Sequence, residues 1–249
     1  MARRRAWIIG GGSGVGAELA VMLAERDWTV VISGRREDRL AEVARRRAGI
    51  FTRQLDVTDR QAVEAAVKGL FEDGGIDLLI YGAAAWHPMD VGDYDFEKFN
   101  AVVDTNLLGV VRMVGPVAEA MKRQGGGQIA IIASLAGYLP LPRAAAYGST
   151  KAALIHLTKV MKTELAPHNI QMRLINPGFF KSELTAKNDF PMPFLLETEE
   201  AARRIVDGLL ESDRFEIAFP RRMALIVALS RLLPNSVFLS IARRMLPKG

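Results

Sequence analysis

Two observations predict a doubly wound α/β fold built on a parallel sheet. Short apolar runs alternate with longer helix-patterned stretches from residue 6 to about residue 219. Strands regularly separated by helices pair in parallel, through right-handed crossovers that lay helices on both faces of the sheet. A glycine-rich turn, Gly10 to Gly16, also sits between the first apolar run and the first helical pattern, where backbone can turn tightly at a helix N-terminus. No proline- or serine-rich linker divides the 249 residues and no short repeat is visible. One domain is expected over 1–249, with a helical C-terminal extension over 220–249.

The elements follow in order. Residues 6–9 form a strand that ends at the glycines, and 14–26 a helix. Residues 28–33 (Trp-Thr-Val-Val-Ile-Ser) form a strand, followed by a charged helix over 37–47. A strand over 50–54, a helix over 60–71 and a strand over 78–81 continue the alternation. A long helix is expected over 96–122, and Gly125, Gly126 and Gly127 make a tight turn into a strand over 128–133. Residues 144–166 form a helix, 170–175 a strand, 198–211 a helix and 215–219 a last short strand. Residues 181–197 contain Pro191, Met192, Pro193 and Phe194 and read as an irregular flap. In the extension, Pro234 separates two short helices.

Composition narrows the classes. The chain is 49% hydrophobic and 24% charged, ordinary for a globular protein with a substantial core. It has no cysteine, which excludes disulfides and thiolate metal sites and is compatible with a reducing compartment. His87, His156 and His168 are scattered singly, so no metal centre is expected. The net charge is +5 with a pI near 9.6, carried by arginine clusters. These read as solvated helix faces, and with no nucleic-acid motif beside them nucleic acid is not an expected partner. The basic start has too short an apolar stretch before the glycines to be an export signal. No stretch is read as reaching the roughly 18 apolar residues of a spanning helix. The expected location is cytoplasmic, either free or peripheral to the inner face of a membrane.

The chemistry concentrates in a few side chains. Tyr147 and Lys151 are four apart on a helix and project from one face. A phenol beside an ammonium is easier to ionise, and Ser134, thirteen residues earlier, supplies a hydroxyl. With a dinucleotide bound, this set can move a proton at neutral pH while the cofactor moves a hydride. The glycine turn offers Gly10, Gly14 and Gly16, with Ser13 and Val15 among them, to a pyrophosphate. After the second strand come Arg35 and Arg36, with no acid until Glu37. An acid here would hold ribose hydroxyls, whereas arginine accommodates a 2′-phosphate, so NADP(H) is expected over NAD(H). The alternative is the exposed start of a charged helix. Asp56, next to Val57, could accept from an adenine amino group or cap the following helix.

Taken together and in this order, Gly10/Gly14/Gly16, Asn106, Ser134, Tyr147-x-x-x-Lys151 and Asn176-Pro177-Gly178 resemble the short-chain dehydrogenase/reductase family over residues 6–219. The resemblance implies a Rossmann-like sheet and an oxidoreductase acting between carbonyl and alcohol. It implies that Tyr147 is the general acid or base, with Lys151 lowering its pKa and holding ribose hydroxyls. Ser134 would hydrogen-bond the substrate oxygen, and Asn106 would interrupt a helix and organise a water relay to the lysine. Pro177 and Gly178 would bound the nicotinamide pocket, Ser182 would stand in for a threonine, and the backbone around Ala83 would touch the cofactor. By the same resemblance, helices over 100–122 and 144–166 would pair into a homodimer or homotetramer. One departure is Tyr81-Gly82-Ala83-Ala84, where the family has Asn-Asn-Ala-Gly and two amide side chains are lost. The family's common Gly-Gly ending is also missing, replaced by the extension.

The resemblance also implies that the substrate side is walled by Ala136, Tyr138, Leu139, Phe179 and Phe180, with Trp86 and His87. Phe190, Met192 and Phe194 would join from the flap. This is an apolar cavity suited to hydrophobic ketones, aldehydes or acyl chains, and His87 is read as a loop residue. In the last helix Val237, Ile241 and Met245 share a face that leaves Arg243 and Arg244 aside. Residues 221–246 therefore suit a subunit contact, self-packing over the pocket, or a lipid surface. A second functional class stays open: a dinucleotide-binding regulator or scaffold that keeps the fold without catalysis.

Overall fold

A computed structural model describes residues 3–188 and 192–243. The first half alternates β1 (Arg5–Ile9), α1 (Gly14–Glu25), β2 (Thr29–Gly34), α2 (Glu37–Arg46), β3 (Ile50–Gln54), α3 (Arg60–Glu72) and β4 (Leu78–Tyr81). Helices α4 (Phe96–Val103) and α5 (Gly109–Gln124) then lead to β5 (Gly127–Ile132). There follow α6 (Ala145–Leu165), β6 (Ile170–Pro177), α7 (Thr198–Leu210), β7 (Glu216–Phe219), α8 (Arg221–Ser230) and α9 (Asn235–Arg243). The strands pair in parallel throughout, in the order β3-β2-β1-β4-β5-β6-β7. The winding reverses between β1 and β4, so the crevice beyond their C-terminal ends is where such a sheet takes a ligand.

The period of two along each strand splits the core. From β1, Trp7 and Ile9 enter one layer, with Val63 and Leu70 of α3, Met113 and Val117 of α5, and Leu154 of α6. Ala6 and Ile8 enter the other, with Leu19 and Leu23 of α1, Leu40 of α2, and Ile205 of α7. Both faces are covered, which is why the strands read as unbroken apolar runs. Trp7 is wholly buried and donates from Nε1 to Ser33 Oγ at 2.9 Å, so its one polar atom is satisfied.

The long helix expected over 96–122 is interrupted. Asp104–Leu108 forms a π-helical turn between α4 and α5, an extra residue that a 3.6-residue period cannot reveal. The stretch Phe96–Gln124, 29 residues, is long and apolar enough by length and composition to cross a membrane. That corrects the expectation that no segment reaches this length. Here Val110, Met113, Val117 and Met121, on one face of α5, are buried in the core. The flap holds a short helical turn at Thr185–Lys187; Phe190, Pro191 and Met245 lie outside the described residues. Asp59 caps α3, accepting from Ala62 N at 3.0 Å. Asp56 therefore does not cap it; its Oδ1 accepts from Thr58 N and Oγ1 at 2.9 and 2.8 Å.

Candidate active site

The crevice at the reversal point is a cleft of about 510 Å³. Gly10, Ser13, Gly14, Val15, Gly16, Arg35, Arg36, Asp56, Val57, Ala83, Pro177 and Ser182 line it, together with Tyr147 and Lys151. Sequence-distant candidates from the turn, the ends of the second and third strands, α6 and the flap thus share one space. Two glycines are required here by their surroundings. Gly10 has φ +86°, and a Cβ on it would lie 2.7 Å from Ala83 N; a Cβ on Gly16 would run into the Gly10 carbonyl. Backbone therefore lies bare against the N-terminus of α1, the arrangement that admits a pyrophosphate. Arg39, one turn after Arg35 and Arg36, also lines the cleft; helical spacing from that pair was the signal for it.

Beside Tyr147, adjoining the cleft, lies a smaller apolar chamber of about 90 Å³. Tyr147 lines both it and the cleft, and Ser134, Ala136, Gly178, Phe179, Phe180 and Trp86 wall it. Tyr138 is elsewhere. Its hydroxyl donates to Glu216 Oε1 at 3.2 Å and the Arg231 guanidinium covers its ring at 4.4 Å. Tyr138 and Phe194 instead line a larger cleft of about 1220 Å³ between α7 and α8. Leu139 packs with Tyr138 under α8, and His87 lines the cofactor cleft rather than the chamber. Met192 Sδ accepts from Asn188 Nδ2 at 3.3 Å. Leu184, Asn188 and Met223 complete the chamber wall. Met223 belongs to α8, and only the folded topology brings it there.

Helix α6 presents Tyr147 and, one turn on, Lys151. The tyrosine ring meets Trp86 edge-on, centroids 5.3 Å apart at 72°, which fixes its plane. Its hydroxyl is hydrogen-bonded with Ser134. Ser134 Oγ also lies 3.3 Å from the Pro177 carbonyl and accepts from Ala136 N at 3.1 Å. Lys151 is 3% exposed and donates from Nζ to the Ile132 carbonyl at 2.8 Å.

Electrostatics depart from the expectation of an acidified phenol. Burial pushes Tyr147 up to about 12, while the Ser134 hydrogen bond acts the other way. Burial pushes Lys151 down to about 7, with its Nζ 5.4 Å from the Tyr147 ring centroid. Desolvation dominates both shifts because both groups are buried in low dielectric. The phenol therefore holds its proton at neutral pH, and the lysine is poised to exchange one.

Asn106 sits in the π turn, wholly buried. Its Oδ1 accepts from Ala85 N at 2.7 Å, and its Nδ2 donates to the Ala85 carbonyl at 3.1 Å and to Thr150 Oγ1 at 3.3 Å. It thus ties the loop after β4 to α6, three residues from Tyr147. Tyr81 offsets part of the lost amides: its hydroxyl donates to the Thr105 carbonyl at 2.7 Å. Asn176 donates from Nδ2 to Glu216 Oε1 at 2.7 Å, fixing the end of β6 from which Pro177 and Gly178 reach the chamber. Ser182 is engaged within its own turn, its Oγ accepting from Thr185 N at 3.1 Å.

A family model described as short chain dehydrogenase matches residues 4–191. The chain is 34% identical to an uncharacterized oxidoreductase of Myxococcus xanthus (strain DK1622) over 250 residues, 98% of each chain. A short chain dehydrogenase from Burkholderia cenocepacia J2315, solved in complex with NADP, superposes with a TM-score of 0.84 at 24% identity, over 99% of this chain and 98% of that one. A gluconate 5-dehydrogenase from the same organism, solved with NADP and tartrate, gives a TM-score of 0.80 at 26% identity, over 90% and 96%.

Proposed function

The chain belongs to the short-chain dehydrogenase family of oxidoreductases, and from that premise we propose that it is an NADPH-dependent reductase of apolar ketones or aldehydes, able to run in reverse on the alcohol. The observation that carries this reading is the hydrogen-bonded Ser134–Tyr147 pair, with Tyr147 lining both the glycine-walled cleft and the apolar chamber and Lys151 buried one turn away. The cleft residues fit the cofactor: bare glycine backbone faces the pyrophosphate position, and Arg35, Arg36 and Arg39 supply cationic partners for a 2′-phosphate. The gluconate 5-dehydrogenase was solved with NADP, which supports the same cofactor.

When bound, NADPH supplies a hydride to the carbonyl carbon. Ser134 would donate a hydrogen bond to the charge that grows on the carbonyl oxygen. Tyr147 delivers its phenolic proton to that oxygen, and a phenol that keeps its proton at neutral pH is in the form reduction needs. Lys151, losing its proton near neutrality, returns one to the phenolate. Asn106 acts through its hold on Ala85 and Thr150 and positions α6. We place the reaction in the cytoplasm. We also infer a homo-oligomer, supported by Leu108, Val111 and Val160, exposed on α6 and the helical stretch that ends in α5. The silent-scaffold reading is not favoured, because Ser134, Tyr147 and Lys151 are all in place.

The test is NADPH oxidation against a panel of ketones, aldehydes and quinones, for the wild type and Tyr147→Phe. We expect turnover of at least one apolar carbonyl, reduced about a hundredfold or more in the variant with NADPH binding within about twofold. Equal turnover by the two proteins would remove Tyr147 from the mechanism.

A further inference from the structure

Helix α8 has two apolar faces, and the fold uses one. Met223 and Val227 are buried, packing on Leu135 and Phe179. On the other side Leu225, Ile226 and Leu229 are 60%, 56% and 56% exposed, and Leu232 just beyond is 80% exposed. Leu225 and Leu229, four apart on α8, share one face, and Leu232 follows in the turn just after the helix. None of the four lines the cleft between α7 and α8. Val237 and Leu239 of α9 extend the exposed apolar surface.

The charge around this stripe is one-sided. Residues 220–249 hold six cations and no acid. The whole chain has 33 Lys and Arg against 28 Asp and Glu, so everything before the extension is within about one charge of neutral. Arg221, Arg222, Arg231 and Arg243 are exposed. The acids facing the extension, Glu200, Asp207, Glu211 and Glu216, lie in the cleft on the inner side of α8, which Arg221, Arg222 and Arg231 also line. An apolar stripe on a segment whose only charges are cationic matches the interface of a bilayer, where leucines enter the acyl boundary and guanidinium groups meet anionic headgroups. A second copy of the same surface would bring arginine against arginine.

We propose that residues 221–243 dock the protein on an anionic lipid bilayer, with the Leu225–Leu229–Leu232 stripe in the interface. Because Met223 of the same helix walls the apolar chamber, docking holds the chamber next to the lipid and favours a substrate partitioned into the membrane. That substrate consequence rests on the reductase reading; the docking does not.

The test is flotation of the full chain with vesicles of phosphatidylcholine alone and of phosphatidylcholine mixed with phosphatidylglycerol. We expect flotation with the mixed vesicles only, weakened by added salt. Leu225→Glu/Leu229→Glu should lose about tenfold or more in partitioning, and Arg222→Gln about fivefold, with thermal unfolding unchanged because all three side chains are exposed. No flotation of the wild type, equal flotation on both vesicles, or flotation indifferent to the arginine variant would overturn the proposal. So would a wild-type dimer that fails to float and that Leu225→Glu/Leu229→Glu turns into a monomer, since a second copy would then cover the stripe. Flotation is read without turnover, so failure of the reductase assay leaves this result standing.

Discussion

Arg36 Nη2 and the Glu183 carboxylate stand 3.1 Å apart, joining the end of the second strand's turn to the flap across the mouth of the cofactor cleft. The same nitrogen lies 3.4 Å from Ser13 Oγ. An acid thus occupies the guanidinium that a 2′-phosphate would use. Both side chains are half exposed or more, where an ion pair is worth little and is readily exchanged.

Glu183→Gln should therefore tighten NADPH binding by about two- to fivefold while leaving NADH unchanged. Arg35→Asp should act in the opposite sense, weakening NADPH by about tenfold or more and moving preference toward NADH. Titration by cofactor fluorescence reads both. Identical NADPH affinities for wild type and Glu183→Gln would mean that the carboxylate does not compete for this site.

Lys151 gives stability a specific pH dependence. Its folded pKa, near 7, lies below its ordinary value of 10.5. Between those values the unfolded chain holds a proton that the folded chain has released, so stability rises with pH across that window. Tyr147 has the opposite sign, its proton being retained in the folded state from pH 10 to about 12. The melting temperature of the wild type should rise by on the order of 5 °C from about pH 7 to about pH 9.5 relative to Lys151→Met. Parallel melting curves across that range would mean that the ammonium is solvated.

Tyr81 and Gly109 are coupled through space. The Tyr81 hydroxyl is buried and a Cβ on Gly109 would collide with it. Tyr81→Phe leaves the Thr105 carbonyl without its donor, a loss of about 1–3 kcal/mol. Gly109→Ala should destabilise by a similar amount in the wild type and by less in the Tyr81→Phe background. Denaturant unfolding of the four proteins in the cycle measures this. Additive effects would mean that the glycine answers to Val57, its other close neighbour, rather than to the tyrosine.

The sheet was readable because burial on both faces makes each strand a short apolar run, and the residues beyond its C-terminal edge were readable because glycine, arginine and the Tyr147/Lys151 spacing carry local meaning. Other features depend on the assembled neighbourhood. The π turn at Asp104–Leu108 leaves no mark in a helical pattern. The inverted pKa logic of Tyr147 and Lys151 comes from desolvation, which residue spacing does not encode. The family resemblance puts Tyr138 on the chamber, but Glu216 and Arg231 hold it on the far side of that wall. Met223 reaches the chamber only because α8 folds back over the substrate side.

The widened turn around Asn106 makes this part of the chain intolerant of a change in length. Removing one residue from 104–108 would let an ordinary α-helix run unbroken, with the flanking helices near their present register because the wide turn is what absorbs the extra residue. The bulge that carries Asn106 would close, and its amide would lose its hold on Ala85. A shortened protein could gain helix there and lose its reaction centre.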